Sequence, residues 1–291
     1  MHQIKHGIYY EDTYLGVTLG ALVFSHGTIL IDAPLRPEDA RSWRSTLLSL
    51  RSGTNRLMIS LDAHLDRTLG VRSMECTVLS HENTAQAFRN RPVIFKGPNL
   101  ESGADWEHYN DAIGTRWASP DITFTDHMLL YWGGPQVLLE HHPGPAPGAT
   151  WVIIPEEQIV FVGDLLVPDQ PPFLASADLA QWLESLDHLS KSYKNYVIVS
   201  GRGGPVEREM IRSQAALLKK IARQVERLAA KNASPEMTET LIPRLLAEIN
   251  FPPSLNEKYA QRLRAGLYQY YSRQYHPQST IESIDLEDIP E

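Results

Sequence analysis

The sequence predicts an α/β protein, and three observations carry that prediction. Short apolar runs rich in Val, Ile and Leu recur as far as Pro205, at 27–34, 57–61, 160–164 and 197–205. Each closes in a turn that presents a charged or ligand-capable side chain. Other stretches place their apolar residues at helical spacing. Beyond Pro205 the pattern changes to helices alone.

In chain order, residues 7–34 read as a strand meander in which a turn at Gly27 feeds a buried strand ending in Asp32. Residues 37–50 form a helix: Pro37 suits a first turn, where its missing N–H is no loss, and Trp43, Leu47 and Leu50 share a face. Strands follow at 57–61, 76–80 and 92–95. Residues 97–120 are polar and interrupted, with Trp106, Tyr109 and Trp117 as aromatic anchors. Strands at 123–125, 129–132, 137–139, 151–154 and 159–162 make a second sheet, and 177–190 a helix. Met210, Leu217, Ile221, Val225 and Leu228 then form one apolar helical stripe. Its outer face carries Lys219, Lys220, Arg223, Arg227 and Lys231, either an ordinary solvated surface or an anion-binding one. A second helix covers 238–249, Asn250-Phe251-Pro252-Pro253 breaks the chain, and a long helix at 255–275 carries Tyr259, Tyr268, Tyr270, Tyr271 and Tyr275. Those tyrosines suit packing on their own domain, a cover over a pocket, or a dimer interface. The acidic tail at 282–291 is expected to be mobile.

The candidate site centres on Asp62-Ala63-His64-Leu65-Asp66-Arg67, just after the strand at 57–61. Spaced His and Asp at a strand's C-terminal end are how many hydrolases hold a metal and its activated water. Here one slot holds a carboxylate and another a guanidinium, which stays cationic and cannot ligate a metal. Four other segments accompany it: the strand ending in Asp32, the turn His141-His142-Pro143-Gly144-Pro145-Ala146-Pro147-Gly148, the strand ending in Asp164, and Ser200-Gly201-Arg202-Gly203-Gly204. In this order and spacing, over residues 12–205, the five resemble the metallo-β-lactamase superfamily.

That resemblance implies a four-layer αββα sandwich of the metallo-β-lactamase type with a C-terminal helical extension. Residues 1–205 would form the metallo-β-lactamase-like domain and 206–291 the extension. It also implies a binuclear metal site at one edge. The family's ligands there are a His-x-His-x-Asp-His motif, a His between two Pro-Gly pairs, a bridging Asp, and a His in a Gly-His-Gly turn. Carried over residue by residue, His64, Asp66 and Asp164 keep the family's ligand types. Asp62 and Arg67 replace the first and last His of the second motif, Pro145 fills the slot between the Pro-Gly pairs, and Arg202 takes the last His position. Ligands are lost while the turns that present them remain.

The expected pocket comprises Asp62, His64, Asp66, Arg67, His142, Pro145, Asp164 and Arg202. Asp62, Asp66 and Asp164 against Arg67 and Arg202 leave a formal charge of −1, or zero if His64 is protonated. Two guanidiniums can fork onto such carboxylates, and a dication beside them would be costly at low effective dielectric. A single Zn, Mn or Fe ion on His64, Asp62 and Asp164, with His142 swinging in, is the alternative. His141 and His142 otherwise flank a turn, and His81 packs near a strand end. A Ser200–His64–carboxylate relay has no supporting spacing and nothing resembles a nucleophile elbow, so no catalytic residue is assigned.

With 291 residues and 42% hydrophobic content the chain can bury a large core. A net charge of −8 argues against a dedicated nucleic-acid binder. Cys76 is the sole cysteine, which excludes an intramolecular disulfide and suits a reducing cytoplasm. The apolar stretch at 15–24 is too short for a membrane span and follows Glu11 and Asp12 rather than a basic region, so it reads as a strand. Two functions follow. One is a binding protein or redirected activity with no metal cofactor, Arg67 and Arg202 facing a cleft for a small anionic ligand. The other is a metal-dependent hydrolase of esters, thioesters or lactams with an atypical mononuclear site, Asp66 orienting the water. A homodimer through the C-terminal helices is compatible with either.

Overall fold

The computed structural model describes residues 1–50, 53–97, 102–109, 111 and 113–276. Its first sheet holds β1 (His2–Lys5), β2 (Ile8–Glu11), β3 (Leu19–Val23), β4 (Gly27–Ile31), β5 (Asn55–Ile59), β6 (Thr77–His81) and β7 (Ile122–Phe124), side by side in that order. Pairing is antiparallel up to β4 and parallel from β4 to β7. Helix α1 (Pro37–Ser49) makes the crossover from β4 to β5. Successive side chains of a strand point to opposite faces. Accordingly Ile29 and Ile31 enter the core between the sheets, whereas Leu30 packs with Trp43 and Leu47 of α1.

The second sheet has the order β13 (Gly204–Val206), β12 (Val197–Ser200), β11 (Ile159–Phe161), β10 (Thr150–Ile154), β9 (Val137–His141), β8 (His127–Leu130). Val152, Ile154 and Phe161 face the first sheet, and Trp151, Ile153 and Val160 face the opposite way. That outer face is covered by α4 (Leu179–Ser192), α5 (Glu209–Ala229), α6 (Ile242–Leu246) and α7 (Asn256–Tyr275), through Trp182, Ile221, Leu245, Leu263 and Tyr271 among others. The molecule is therefore a four-layer αββα sandwich with a C-terminal helical stretch. Tyr259, Tyr270 and Tyr271 of α7 are buried in this core, while Tyr268 and Tyr275 stay exposed.

Several local expectations are corrected. The strand expected at 123–125 lies in the first sheet, parallel to β6, because alternation reports a buried face and not which sheet supplies the neighbour. At 92–95 there is only a bridge from Ile94 to Arg116; Pro92 lacks a backbone donor, and Val93 is exposed. Helices α2 (Leu65–Thr68) and α3 (Glu82–Arg89) and strands β1 and β13 were not expected. His81 caps α3, its Nδ1 accepting from Asn83 N at 3.0 Å. The helix expected at 238–249 divides into a 3₁₀ turn, Pro235–Leu241, and α6, with Pro243 in the first turn of the latter. The tail at 282–291 lies outside the described residues. Among the described residues no helix is long and apolar enough to cross a membrane.

Candidate functional site

The site is assembled from loops at the C-terminal ends of β4, β5, β11 and β12. Asp32, directly after β4, sits at φ +57°, which a short polar side chain tolerates. Its Oδ1 accepts from Leu61 N at 2.9 Å, joining the ends of β4 and β5. Asp62 Oδ1 accepts from His64 N at 2.7 Å, an Asx turn. His64 then caps α2, its Nδ1 accepting from Asp66 N at 3.3 Å, and the single turn of α2 sets Asp66 and Arg67 inward. Gly201 N donates to Gly163 O at 2.8 Å. A Cβ on Gly201 would lie 2.8 Å from the carbonyl carbon of Gly163, so only glycine lets the Arg202 loop meet the Asp164 loop. Ser200 Oγ donates to Leu166 O at 2.5 Å and accepts from Arg202 N at 3.0 Å. Its oxygen is committed to the backbone, which removes the relay with His64.

Two guanidiniums and four carboxylates form one buried network. Arg67 Nη1 donates to Asp32 Oδ2 at 2.7 Å and its Nη2 to Asp164 Oδ1; its Nε lies 3.1 Å from Asp62 Oδ1, an ion contact without hydrogen-bond direction. Arg202 forks onto Asp164, Nε to Oδ1 at 3.1 Å and Nη2 to Oδ2 at 3.2 Å. Its Nη1 reaches Asp66 Oδ2 at 2.8 Å and Gly16 O at 2.7 Å, and Nη2 donates to His64 Nδ1 at 3.1 Å. Asp66 Oδ1 accepts from Trp106 N at 2.8 Å. Asp32 thus enters a cluster in which the motif frame had placed only three carboxylates.

With Asp32 counted, four carboxylates against two guanidiniums give a formal −2. Burial pushes Asp32 up to about 7, against the pull of Arg67, so this carboxyl shares a proton near neutrality. Burial also raises Asp62. Asp164 behaves oppositely: burial resists, but Arg202 and Arg67 hold its carboxyl well below the usual range. Burial and the neighbouring Arg202 keep His64 well below its ordinary value, so the imidazole is neutral with Nδ1 as acceptor. Protonation of His64 therefore does not balance the cluster.

Above the network lies a cavity of about 370 Å³, lined by Asp62, His64, Asp164, Pro145, Arg91 and Phe173 among others. Arg67 and Arg202, at 0% and 3% exposure, lie beneath its floor and do not face the cleft, because each is drawn inward onto carboxylates. Among the described residues the cation on the wall is Arg91, which no motif marked. Its guanidinium packs on Phe88 and Trp117, each ring centroid 4.8 Å away, and Nη2 donates to Ala63 O. Its buried Nη1 has no hydrogen-bond partner. Burial pulls Arg91 down to about 10, which leaves it cationic at neutral pH.

Phe173 closes another side, its ring 4.3 Å from that of His64 and set between the guanidiniums of Arg202 and Arg262, at 4.6 and 4.0 Å. Arg262 comes from α7 and donates to Gly103 O at 3.0 Å and Gln170 Oε1 at 2.7 Å. The tyrosine-rich helix therefore packs on its own domain and also braces the cavity wall. His142 stands apart from the other seven expected residues. It continues the β9–β10 hairpin, bonds Glu140 at 2.8 Å, stacks on Trp151 at 3.7 Å and lines a different cavity with His188.

A binuclear centre fits these residues poorly. His64 Nδ1 and the oxygens of Asp66 and Asp164 all accept hydrogen bonds, from Arg202, Arg67 or a backbone N–H. A dication on His64 Nδ1, Asp66 Oδ2 or either oxygen of Asp164 would have to displace the buried Arg202 guanidinium.

Two stacked sheets between helices, with Asp and His loops gathered at one edge, define a metallohydrolase-type scaffold. Residues 63–201, just under half of the chain, match the family model described as the metallo-beta-lactamase superfamily. Its structure is similar to that of the stereoselective inverting sec-alkylsulfatase Pisa1 from Pseudomonas sp., with TM-score 0.66 and 14% identity, over 98% of this chain and 52% of that one. It is also similar to DIM-1 metallo-beta-lactamase, with TM-score 0.58 and 13% identity over 75% of this chain and 96% of that one. A metallo-beta-lactamase from Pontibacter korlensis gives 0.55 and 20%, over 75% and 97%. The chain spans about half the length of the alkylsulfatase. A search of curated protein sequences finds no match.

Proposed function

We propose that this protein is a binding protein, or an activity redirected from hydrolysis, in which an Arg–Asp network stands where the superfamily holds its metals. The adjoining cavity takes a small ligand with an anionic group. One observation carries this reading: Arg202 alone bonds His64 Nδ1, Asp66 Oδ2 and both oxygens of Asp164, the three ligand positions that keep the family's residue types. A guanidinium is always charged and offers no lone pair to a metal, and it repels a dication strongly in a weakly screened interior.

Because Arg67 and Arg202 are spent on carboxylates, recognition of charge falls to Arg91, whose side chain lines the cavity. The rest of the wall includes Trp106, Pro145 and Phe173. A compact apolar body ending in a sulfate, carboxylate or phosphate suits that lining. The alkylsulfatase's name points to a molecule of this kind, so a sec-alkyl sulfate is the first probe. A reducing cytoplasm is the compartment that Cys76, as sole cysteine, supports.

Calorimetric titration of a sec-alkyl sulfate, with elemental analysis of untagged protein, tests the proposal. Binding without release of free sulfate is expected. A hydrogen bond to a charged group contributes about 1.5–3 kcal/mol, so Arg91→Ala should weaken binding roughly tenfold or more. Turnover, together with about one equivalent of metal that disappears in His64→Ala, would restore the mononuclear hydrolase.

A further inference from the structure

We propose that Glu140, His142 and His188, on the outer face of the second sheet, form a site for one divalent transition-metal ion of the zinc class, separate from the superfamily's metal position. Strand alternation puts Glu140 on the face that carries its cross-strand partner Trp151, and His142 stacks on that Trp at 3.7 Å. Helix α4 then lays His188 over His142, ring centroids 5.2 Å apart. The three candidate donor atoms all lie within 4.8 Å of one another. Two His and one carboxylate are a set that zinc uses when three protein ligands leave a fourth position for water or an incoming group.

The geometry is close to what an ion needs. Zinc bonds of about 2.0–2.2 Å at tetrahedral angles set two donors roughly 3.3–3.6 Å apart, so donors that now lie within 4.8 Å of one another must close by up to about 1.3 Å. Glu140 and His142 are the fixed half: Glu140 Oε2 accepts from Tyr193 OH at 3.1 Å and lies 2.8 Å from His142 Nε2. His188 is the adjustable half, exposed on α4, with Nδ1 3.4 Å from Ser192 Oγ, which leaves Nε2 for an ion. A separate cavity of about 300 Å³, bounded by His142, His188, Gln181 and Glu184, gives room for water on the ion. Glu184, one helical turn before His188, places a second carboxylate at its rim. A purely structural reading would keep the His142–Glu140 pair and leave His188 as a ring stacked on His142 and Trp151, which the His188→Ala uptake measurement separates from a ligand.

The test uses the full-length untagged chain, stripped with chelator and titrated with zinc chloride alone. Bound metal is then counted by elemental analysis after gel filtration. One ion per chain is expected. His188→Ala and Glu140→Gln should each weaken uptake at least about tenfold, and His64→Ala should leave it unchanged. Unchanged thermal melts of His188→Ala, altered at an exposed position, would show that lost uptake is not lost folding. No uptake by the wild type, or uptake indifferent to His188→Ala, overturns the site and leaves the function proposed above intact. Uptake lost in His64→Ala and kept in His188→Ala would overturn both.

Discussion

Asp32 and His64 titrate in opposite senses over one pH range, and that opposition is measurable. The folded value of Asp32 is about 7, above an ordinary 3.8, so its contribution to stability is fully present below about pH 4 and is lost as pH rises through 7. His64 is held well below its ordinary 6.5, so its contribution is present above that value and is lost as pH falls. Between about pH 4 and 6.5 the two slopes oppose, that of Asp32 near 1.4 kcal/mol per pH unit. Of these two slopes only that of His64 remains in Asp32→Asn. Stability from urea melts should then fall on acidification more steeply than in the wild type, by up to about 1.4 kcal/mol per pH unit. Parallel curves for the two proteins would remove Asp32 as the proton holder. Arg67→Met should cost about 3–5 kcal/mol, since it strands buried carboxylates. A loss below about 1 kcal/mol would mean that the network is hydrated and weak. Asp62, His64, Asp66, Arg67, Asp164 and Arg202 were legible because intact turns fixed their register. Asp32 as a network member and Arg91 as the wall cation were not, since both acquire their roles from partners distant in sequence, Arg67 and the Phe88–Trp117 pair.

At the level of elements, the distance between α7 and the site closes through one side chain. Arg262 is 1% exposed, bonds Gly103 O and Gln170 Oε1, and stacks on Phe173, which in turn touches His64. Arg262→Ala would leave buried carbonyls without donors, so a loss of about 2–3 kcal/mol is expected. Proteolysis of the native protein should become faster in the segment around Phe173. Equal cleavage rates in the two proteins would mean that the segment holds itself. The periodic helices, α1, α4, α5 and α7, were readable from apolar stripes. Helix α3 and strands β1 and β13 were not. The first is short and depends on a His81 cap, and the strands carry residues such as His2, Gln3, Lys5 and Pro205, whose extended state comes from pairing rather than pattern.

For the whole molecule, the change of pattern at Pro205 marks a change of architecture, while the core runs across it. Trp151, Ile153, Val160 and Ile198 of the second sheet share one apolar cluster with Ile211, Leu218 and Ile221 of α5 and Leu263, Leu267 and Tyr271 of α7. The alkylsulfatase match covers 98% of the chain, which takes in these helices, whereas the DIM-1 match covers 75%. A chain ending at Val206 would expose that sheet face except where α4 covers it, and each large apolar side chain returned to water forgoes about 1.5–3 kcal/mol. Total stability is only about 5–15 kcal/mol, so losing a handful of such contacts is enough to unfold the remainder. We therefore expect the full chain to unfold in one calorimetric transition, and residues 1–206 to aggregate or bind hydrophobic dye without a sharp melt. A cooperative melt of the shortened chain, at a temperature near that of the full one, would instead establish the C-terminal helices as an independent unit.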